Sequence, residues 1–332
     1  MHVKLEHGSG GALSHRLTSE VIFPFFRGQT YRELSDSSLC TVSAEILVTT
    51  DSYVVDPLFF PGGDIGRLAV FGTCNDLAVG GGKPRFLTLG LIAEEGLPLS
   101  QLKRVLASVA GAATSAEVEV ISGDTKVVPA GKGGGLYVNT AGIADRVFQL
   151  PLTRSNVRET DAVIVSGPVG AHGIAVLSAR ESLSVGRQIE SDLASLSALC
   201  GTLFPLGNRL RFLRDATRGG VAAVLNELVH NTGLGLEVSE QHFPVSPKVA
   251  AVADLLGLQP LEIANEGVIV AVVAQEAASE AVKRMRSDSH GKQAAIVGQV
   301  TSTRPGTVVL ETLIGGRRIL DFPQGLLLPR IC

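Results

Sequence analysis

Glu45-Ile46-Leu47-Val48-Thr49-Thr50 is a β-branched, apolar run followed at once by an acid, Asp51, and the rest of the chain is organised around its reading. A run of this length, rich in Val, Ile and Thr, predicts a strand. The same grammar recurs at Phe86-Leu87-Thr88-Leu89-Gly90-Leu91, Val118-Glu119-Val120-Ile121 and Leu136-Tyr137-Val138-Asn139-Thr140. Between the second and third of these strands, Leu102, Val105, Leu106, Val109, Ala110 and Ala113 fall on one face of a helix, with Ser100 as the expected N-cap. Beyond a polar, proline-marked junction from Pro151 to Asp161 the pattern repeats. It predicts strand Ala162 to Ser166, helices near Ala171 to Ala179 and Gly219 to His230, and strand Val268 to Val273. Helix Glu276 to Met285 and strands Ala294 to Val300 and Thr307 to Glu311 follow. Two α/β halves of similar size imply two α/β domains, and no repeat marks a solenoid.

Bulk properties exclude several classes. With 332 residues the chain is long enough for two cores. Apolar residues at 45%, charged residues at 18% and 38 glycines favour a compact, loop-rich α/β protein over a disordered or fibrous one. A net charge of -3 leaves no electrostatic footprint for nucleic acid or an anionic membrane. The four cysteines, at 40, 74, 200 and 332, form no C-x-x-C pair, which points to a reducing compartment and against structural zinc. No apolar signal core or membrane-length run is present, so a cytoplasmic protein is expected, without a membrane partner.

Five clusters set acids beside glycine or at predicted strand ends: Thr50-Asp51-Ser52, Gly62-Gly63-Asp64-Ile65-Gly66, Cys74-Asn75-Asp76-Leu77, Ser122-Gly123-Asp124-Thr125-Lys126 and Asp215-Ala216-Thr217-Arg218-Gly219-Gly220. Each aspartate alone reads better as a turn or N-cap residue than as a ligand. Together they suit a metal-phosphate site, because magnesium takes few protein carboxylates and completes its octahedron with water and phosphate oxygens. His7-Gly8-Ser9-Gly10-Gly11 could wrap phosphates through backbone N–H groups, with Gly10 as its cofactor-binding candidate. No Walker A or kinase signature is present. Gly131-Lys132-Gly133-Gly134-Gly135 joins two predicted strands and reads as a flexible hairpin connection. Lys126, two residues after Asp124, either shares a phosphate pocket, where it would balance developing charge, or is a plain surface lysine. Asn265-Glu266-Gly267 precedes a very apolar strand, so Glu266 is either part of a turn or a desolvated carboxylate suited to proton transfer. The seven histidines are scattered and suggest no metal site.

The chain closes on Pro329-Arg330-Ile331-Cys332, a thiol in a loop-like segment. About ten extended residues from Phe322 onward span roughly 30 Å, enough for a terminal thiol to move between sites. An incidental terminal cysteine is the other reading.

The segments His7 to Gly11, Thr50 to Val55, Pro57 to Gly66, Asn75 to Leu77, Gly123 to Val128, Asp215 to Gly220, Asn265 to Gly267 and Pro329 to Cys332 together resemble the HypE family, the carbamoyl dehydratases of nickel-iron hydrogenase maturation. The acidic and glycine clusters are shared with the wider superfamily of aminoimidazole ribonucleotide synthetase and selenophosphate synthetase. The resemblance implies a PurM-like α/β fold (α+β, two domains). Its parts would be a glycine-rich segment 1–40, an ATP-binding and dimerisation domain 41–150, a C-terminal α/β domain 151–321 and a mobile tail 322–332. It also implies a homodimer binding ATP and magnesium, with Asp51, Asp76 and Asp215 as metal ligands and Asp64 and Asp124 near the nucleotide. A HypF carbamoyltransferase would load Cys332. Dehydration would give a thiocyanate, and a HypC–HypD complex would receive the cyano group. In this scheme Lys126 stabilises phosphoryl transfer and Glu266 removes protons from nitrogen. Gly134 and Cys74 depart from the family pattern, and Cys74 reads as a small buried thiol. Two other readings remain: a synthetase of the same superfamily acting on a free small molecule, and a maturation scaffold without catalysis.

Overall fold

The computed structural model describes residues 2–8, 16–26, 41–42, 45–186 and 188–323; Gly10, Cys40 and Cys332 lie outside the described residues. The N-terminal half runs β1 (Ile46–Tyr53), β2 (Phe59–Phe60), β3 (Gly63–Asp64), α1 (Ile65–Val79), β4 (Gly82–Glu94), α2 (Leu99–Ser115), β5 (Glu119–Val128) and β6 (Leu136–Arg146). Its main sheet has the order β1-β6-β4-β5, antiparallel except for the parallel β4–β5 pair. The apolar stripe of α2, including Leu102, Val105, Leu106 and Val109, packs with α1 into one core on one face of this sheet. Among the described residues nothing covers the opposite face, where Ile46, Val48 and Ile92 are exposed.

Helix α1 has no amphipathic stripe because nearly every side of it is covered; only Arg67 and Asp76 are not fully buried. Asp64 starts it, accepting the Gly66 and Arg67 N–H groups at 2.8 and 3.1 Å. At its other end Ala78 and Val79 leave the first core and pack, with Phe148, into a core of the C-terminal half.

After the segment 147–161, that half runs β7 (Ala162–Val165), α3 (Ala171–Arg180), α4 (Ser197–Leu203), β8 (Leu210–Asp215), α5 (Gly220–Val229), β9 (Gly235–Ser239) and α6 (Pro247–Leu256). It ends with β10 (Ile269–Val273), α7 (Ala278–Ser287), β11 (Ala295–Thr301), β12 (Val308–Glu311) and β13 (Arg317–Ile319). The sheet order is β13-β12-β9-β11-β7-β10-β8, with β9–β12 its only parallel pair. Both faces of β7 and β10 are buried, one beneath α5 and the other beneath α4 and α7.

Two local expectations are corrected. Ser100 does not cap α2; Pro98 occupies the N-cap position and Ser100 lies inside the helix. Nor is Gly131 to Gly135 a hairpin, because β5 and β6 flank β4 on opposite sides, so the loop crosses the end of β4. There the Glu94 carboxylate accepts the N–H groups of Gly131 and Gly135, a clasp that holds Glu94 below the usual carboxylate range.

Candidate functional site

A cavity of about 490 Å³ lies where the two halves meet, lined by β1, α1, the end of β8 with the loop after it, and Glu266. Strand alternation turns Thr49, Asp51 and Tyr53 toward α1. Asp76, in the last turn of α1, faces them and accepts a hydrogen bond from Thr49 Oγ1 at 3.0 Å. From the other half, β8 ends on Asp215 and its antiparallel neighbour β10 begins just after Glu266, so the two carboxylates enter the cavity side by side. Asn265 locks that corner: its Nδ2 donates to Ala216 O at 2.8 Å and its Oδ1 accepts from Gly170 N at 2.7 Å.

Charge is crowded here. Burial, then the neighbouring Asp76, pushes the Asp215 carboxyl up to about 7. Glu266 is raised well above the ordinary glutamate value by burial and by Asp215 and Asp192. Asp76 is raised by burial, against the opposing Thr49 hydrogen bond. Arg214 and Arg218 supply positive charge at the wall. Desolvated carboxylates that repel one another favour protons or a hard cation among them. Among the described residues no three His, Cys, Asp or Glu lie close enough to enclose a metal ion. An ion shared by these oxygens would therefore draw further ligands from water or from a bound phosphate.

Asp51, Asp76, Asp215 and Glu266 are thus brought together. Asp64 is not among them: besides capping α1 it accepts from Ser108 Oγ at 2.6 Å. Asp124 and Lys126 pair with each other at 3.2 Å and are exposed on β5. The sheet register explains this. Asp124 aligns with Gly90, Asn139 and Ser52 across the four strands, on the face opposite to the one that carries Asp51. Cys74 is buried, its thiol pushed up to about 12 by burial.

Sequence reasoning missed the support behind Glu266. Segment 191–196, without regular structure, crosses from one half to the other, and Ser191 N donates to Pro61 O at 2.9 Å. Asp192 accepts the N–H groups of Glu266 and Gly267. His172, wholly buried and held near 3 by desolvation, meets Ser191 Oγ through Nδ1 at 2.8 Å. No glycine or motif marks this segment, so nothing in its composition signalled the role.

Comparison with known proteins agrees with this architecture. The models for AIR synthase related protein, N-terminal domain and C-terminal domain, match residues 35–144 and 158–311. Carbamoyl dehydratase HypE of Bradyrhizobium diazoefficiens is 44% identical, covering 99% of this chain and 96% of that protein. Its counterpart in Escherichia coli is 42% identical, covering 100% of this chain and 99% of that one. A crystal structure of hydrogenase maturation protein HypE in complex with ATP superposes with a TM-score of 0.94 at 40% identity, covering 99% of each chain. HypE in a HypE–HypF complex superposes at 0.81, with 41% identity over 94% of this chain and all of that one.

Proposed function

The chain belongs to the HypE family of AIR synthase related proteins, and from that premise we propose that it is an ATP-dependent carbamoyl dehydratase of hydrogenase maturation acting on its own C-terminal cysteine. The observation that carries the reading is the junction cavity with Asp51, Asp76, Asp215 and Glu266 on its wall.

A carbamoyl group on Cys332, S–CO–NH2, cannot expel its oxygen as water without activation. Phosphorylating that oxygen makes it a good leaving group: the oxygen attacks the γ-phosphorus, ADP departs and nitrogen gives up one proton. Loss of the second nitrogen proton breaks the C–O bond, releases phosphate and leaves S–C≡N. The balance is S-carbamoylcysteine plus ATP to S-cyanocysteine, ADP and phosphate. Transfer of this kind depends on positioning and charge compensation more than on covalent help from the protein.

Glu266 is the proton acceptor in this reading. Its desolvated carboxylate has a raised proton affinity, as a general base requires. The Asp51, Asp76 and Asp215 oxygens are of the type that holds magnesium, and their crowding is relieved by a cation. Magnesium so held would neutralise charge on the phosphates. Lys126, with Asp124 and Asp64, is assigned to the nucleotide's surroundings. Lys126 and Asp124 sit on the open face of the sheet, so pairing of two N-terminal domains across that face, as a homodimer, is the arrangement that brings them to it. Gly10 would complete the phosphate cradle.

HypF is the proposed carbamoyl donor, supported by the relative crystallised with it. A HypC–HypD complex is the proposed acceptor of the cyano group. No helix among the described residues is long and apolar enough to cross a membrane. Free, buried Cys74 and Cys200 suit the reducing cytoplasm in which we place the reaction.

Intact mass spectrometry of the full chain tests this. After loading by the carbamoyltransferase, the C-terminal peptide gains one HNCO, and with ATP and magnesium it loses one H2O. Loss of water without ATP, or an unloaded C-terminal peptide, refutes the reading.

A further inference from the structure

We propose that Asp192 is a positioning residue for Glu266, fixing the Glu266-Gly267 backbone so that the carboxylate faces the cavity, and that Asn75 holds the same residue from the N-terminal half. This rests on Glu266 being the proton acceptor and extends that reading to what places it. The Glu266 N–H donates to both Asp192 oxygens, at 3.3 and 3.2 Å, and the Gly267 N–H to one of them at 3.0 Å. Two consecutive peptide groups are thereby tied to one side chain, which fixes the direction of the Cα–Cβ bond between them. The fit is close: a Cβ on Gly267 would stand 1.9 Å from the Asp192 carbonyl oxygen.

The other side of Glu266 is held as well. Asn75, buried in α1, donates through Nδ2 to Glu266 O at 3.4 Å and to Ala194 O at 3.0 Å, and accepts Leu196 N at 2.8 Å. Asp192, Ala194 and Leu196 belong to one short segment, itself fastened to Pro61 O through Ser191 N. Glu266 is therefore held at its N–H by the crossing segment and at its C=O both by Asn75 of the N-terminal half and by Ala194 N–H at 3.4 Å, while its side chain is left to the cavity. A base must come within hydrogen-bond reach of the proton it takes, and a displacement of about 1 Å can cost about 10²-fold in rate.

The test is a double-mutant cycle on the full chain, loaded by its carbamoyltransferase, reading loss of water at Cys332 in a single turnover and the KM for ATP separately. Asp192→Asn should slow dehydration about 10- to 100-fold with the KM for ATP changed less than about threefold, since the side chain acts on the base and not on the nucleotide. In a Glu266→Gln background the same substitution should cost nothing further. Asn75→Ala should give the same pattern from the opposite side, so the cycle does not depend on one variant folding. A wild-type rate in Asp192→Asn, or an equal further loss in the Glu266→Gln background, overturns the inference and leaves Glu266 as base intact. A wild-type rate in Glu266→Gln removes the proton acceptor itself and the inference with it.

Discussion

The Tyr53 hydroxyl occupies the space that a side chain on residue 72 would need: a Cβ built on Gly72 stands 2.5 Å from that oxygen and 3.1 Å from two ring carbons. Both residues line the junction cavity, and Tyr53 is held there by a 3.0 Å contact with Thr73 Oγ1. Alanine normally stabilises a helix interior over glycine by about 1 kcal/mol, but overpacking a tight contact costs about 1–3 kcal/mol. Gly72→Ala should therefore lower the melting temperature and weaken ATP binding together, both measurable by thermal shift with and without nucleotide. A variant stabilised to the same extent in both conditions contradicts the packing argument.

Asp215→Asn should separate stability from function. Its carboxyl is crowded by Asp76 and desolvated, so an amide of the same shape removes a destabilising charge. The nucleotide-free variant should melt roughly 2–6 °C higher, while the extra stabilisation by ATP and magnesium should be largely lost. A lower melting temperature without nucleotide would show that the carboxylate is a net structural support.

Asp192 makes stability depend on pH in a direction opposite to that of a salt-bridged acid. Its folded value of about 6 lies above the ordinary 3.8, because desolvation outweighs the N–H donors. Between those values the native state holds the proton more firmly than the unfolded state, so its stabilising contribution is complete below the lower value and declines as pH rises through about 6. Asp192→Asn should flatten the dependence, removing about 2 kcal/mol of decline between pH 4 and pH 6.5. Urea unfolding at several pH values measures it, and parallel curves for the two proteins count against the assignment.

Glu94 is the clasp of the glycine loop at 131–135. Glu94→Ala should leave the global melting temperature nearly unchanged, since the group is only half-buried at the end of its strand, yet open Lys132 to trypsin. Limited proteolysis followed by peptide mapping reads this. Unchanged cleavage at Lys132 would mean that the backbone holds itself.

How much of this was legible depended on what each face of an element touches. Helix α2 announced itself because Leu102, Val105, Leu106 and Val109 face a core while their neighbours meet solvent. Its neighbour α1 gave no period because almost every residue is buried, so only its two ends, Ile65-Gly66 and Cys74 to Leu77, drew notice. Strands β8 and β9 and helices α4 and α6 also went unread. The cavity acids Asp51, Asp76, Asp215 and Glu266 stood in recognisable clusters, but which sheet face each would take was set by register, and that separated Asp124 and Lys126 from them. The N-cap alternative open to any lone aspartate is the local role Asp64 fills. Asp192 was illegible because its role comes from meeting the Glu266 backbone 74 positions away.

One helix is built into both hydrophobic interiors: α1 carries Leu68 and Val70 in the first, and Ala78 and Val79 in the second. A clamshell motion would have to tear that shared axle out of one bearing. The two halves are thereby one housing, and catalytic turnover should proceed without any large change in their spacing.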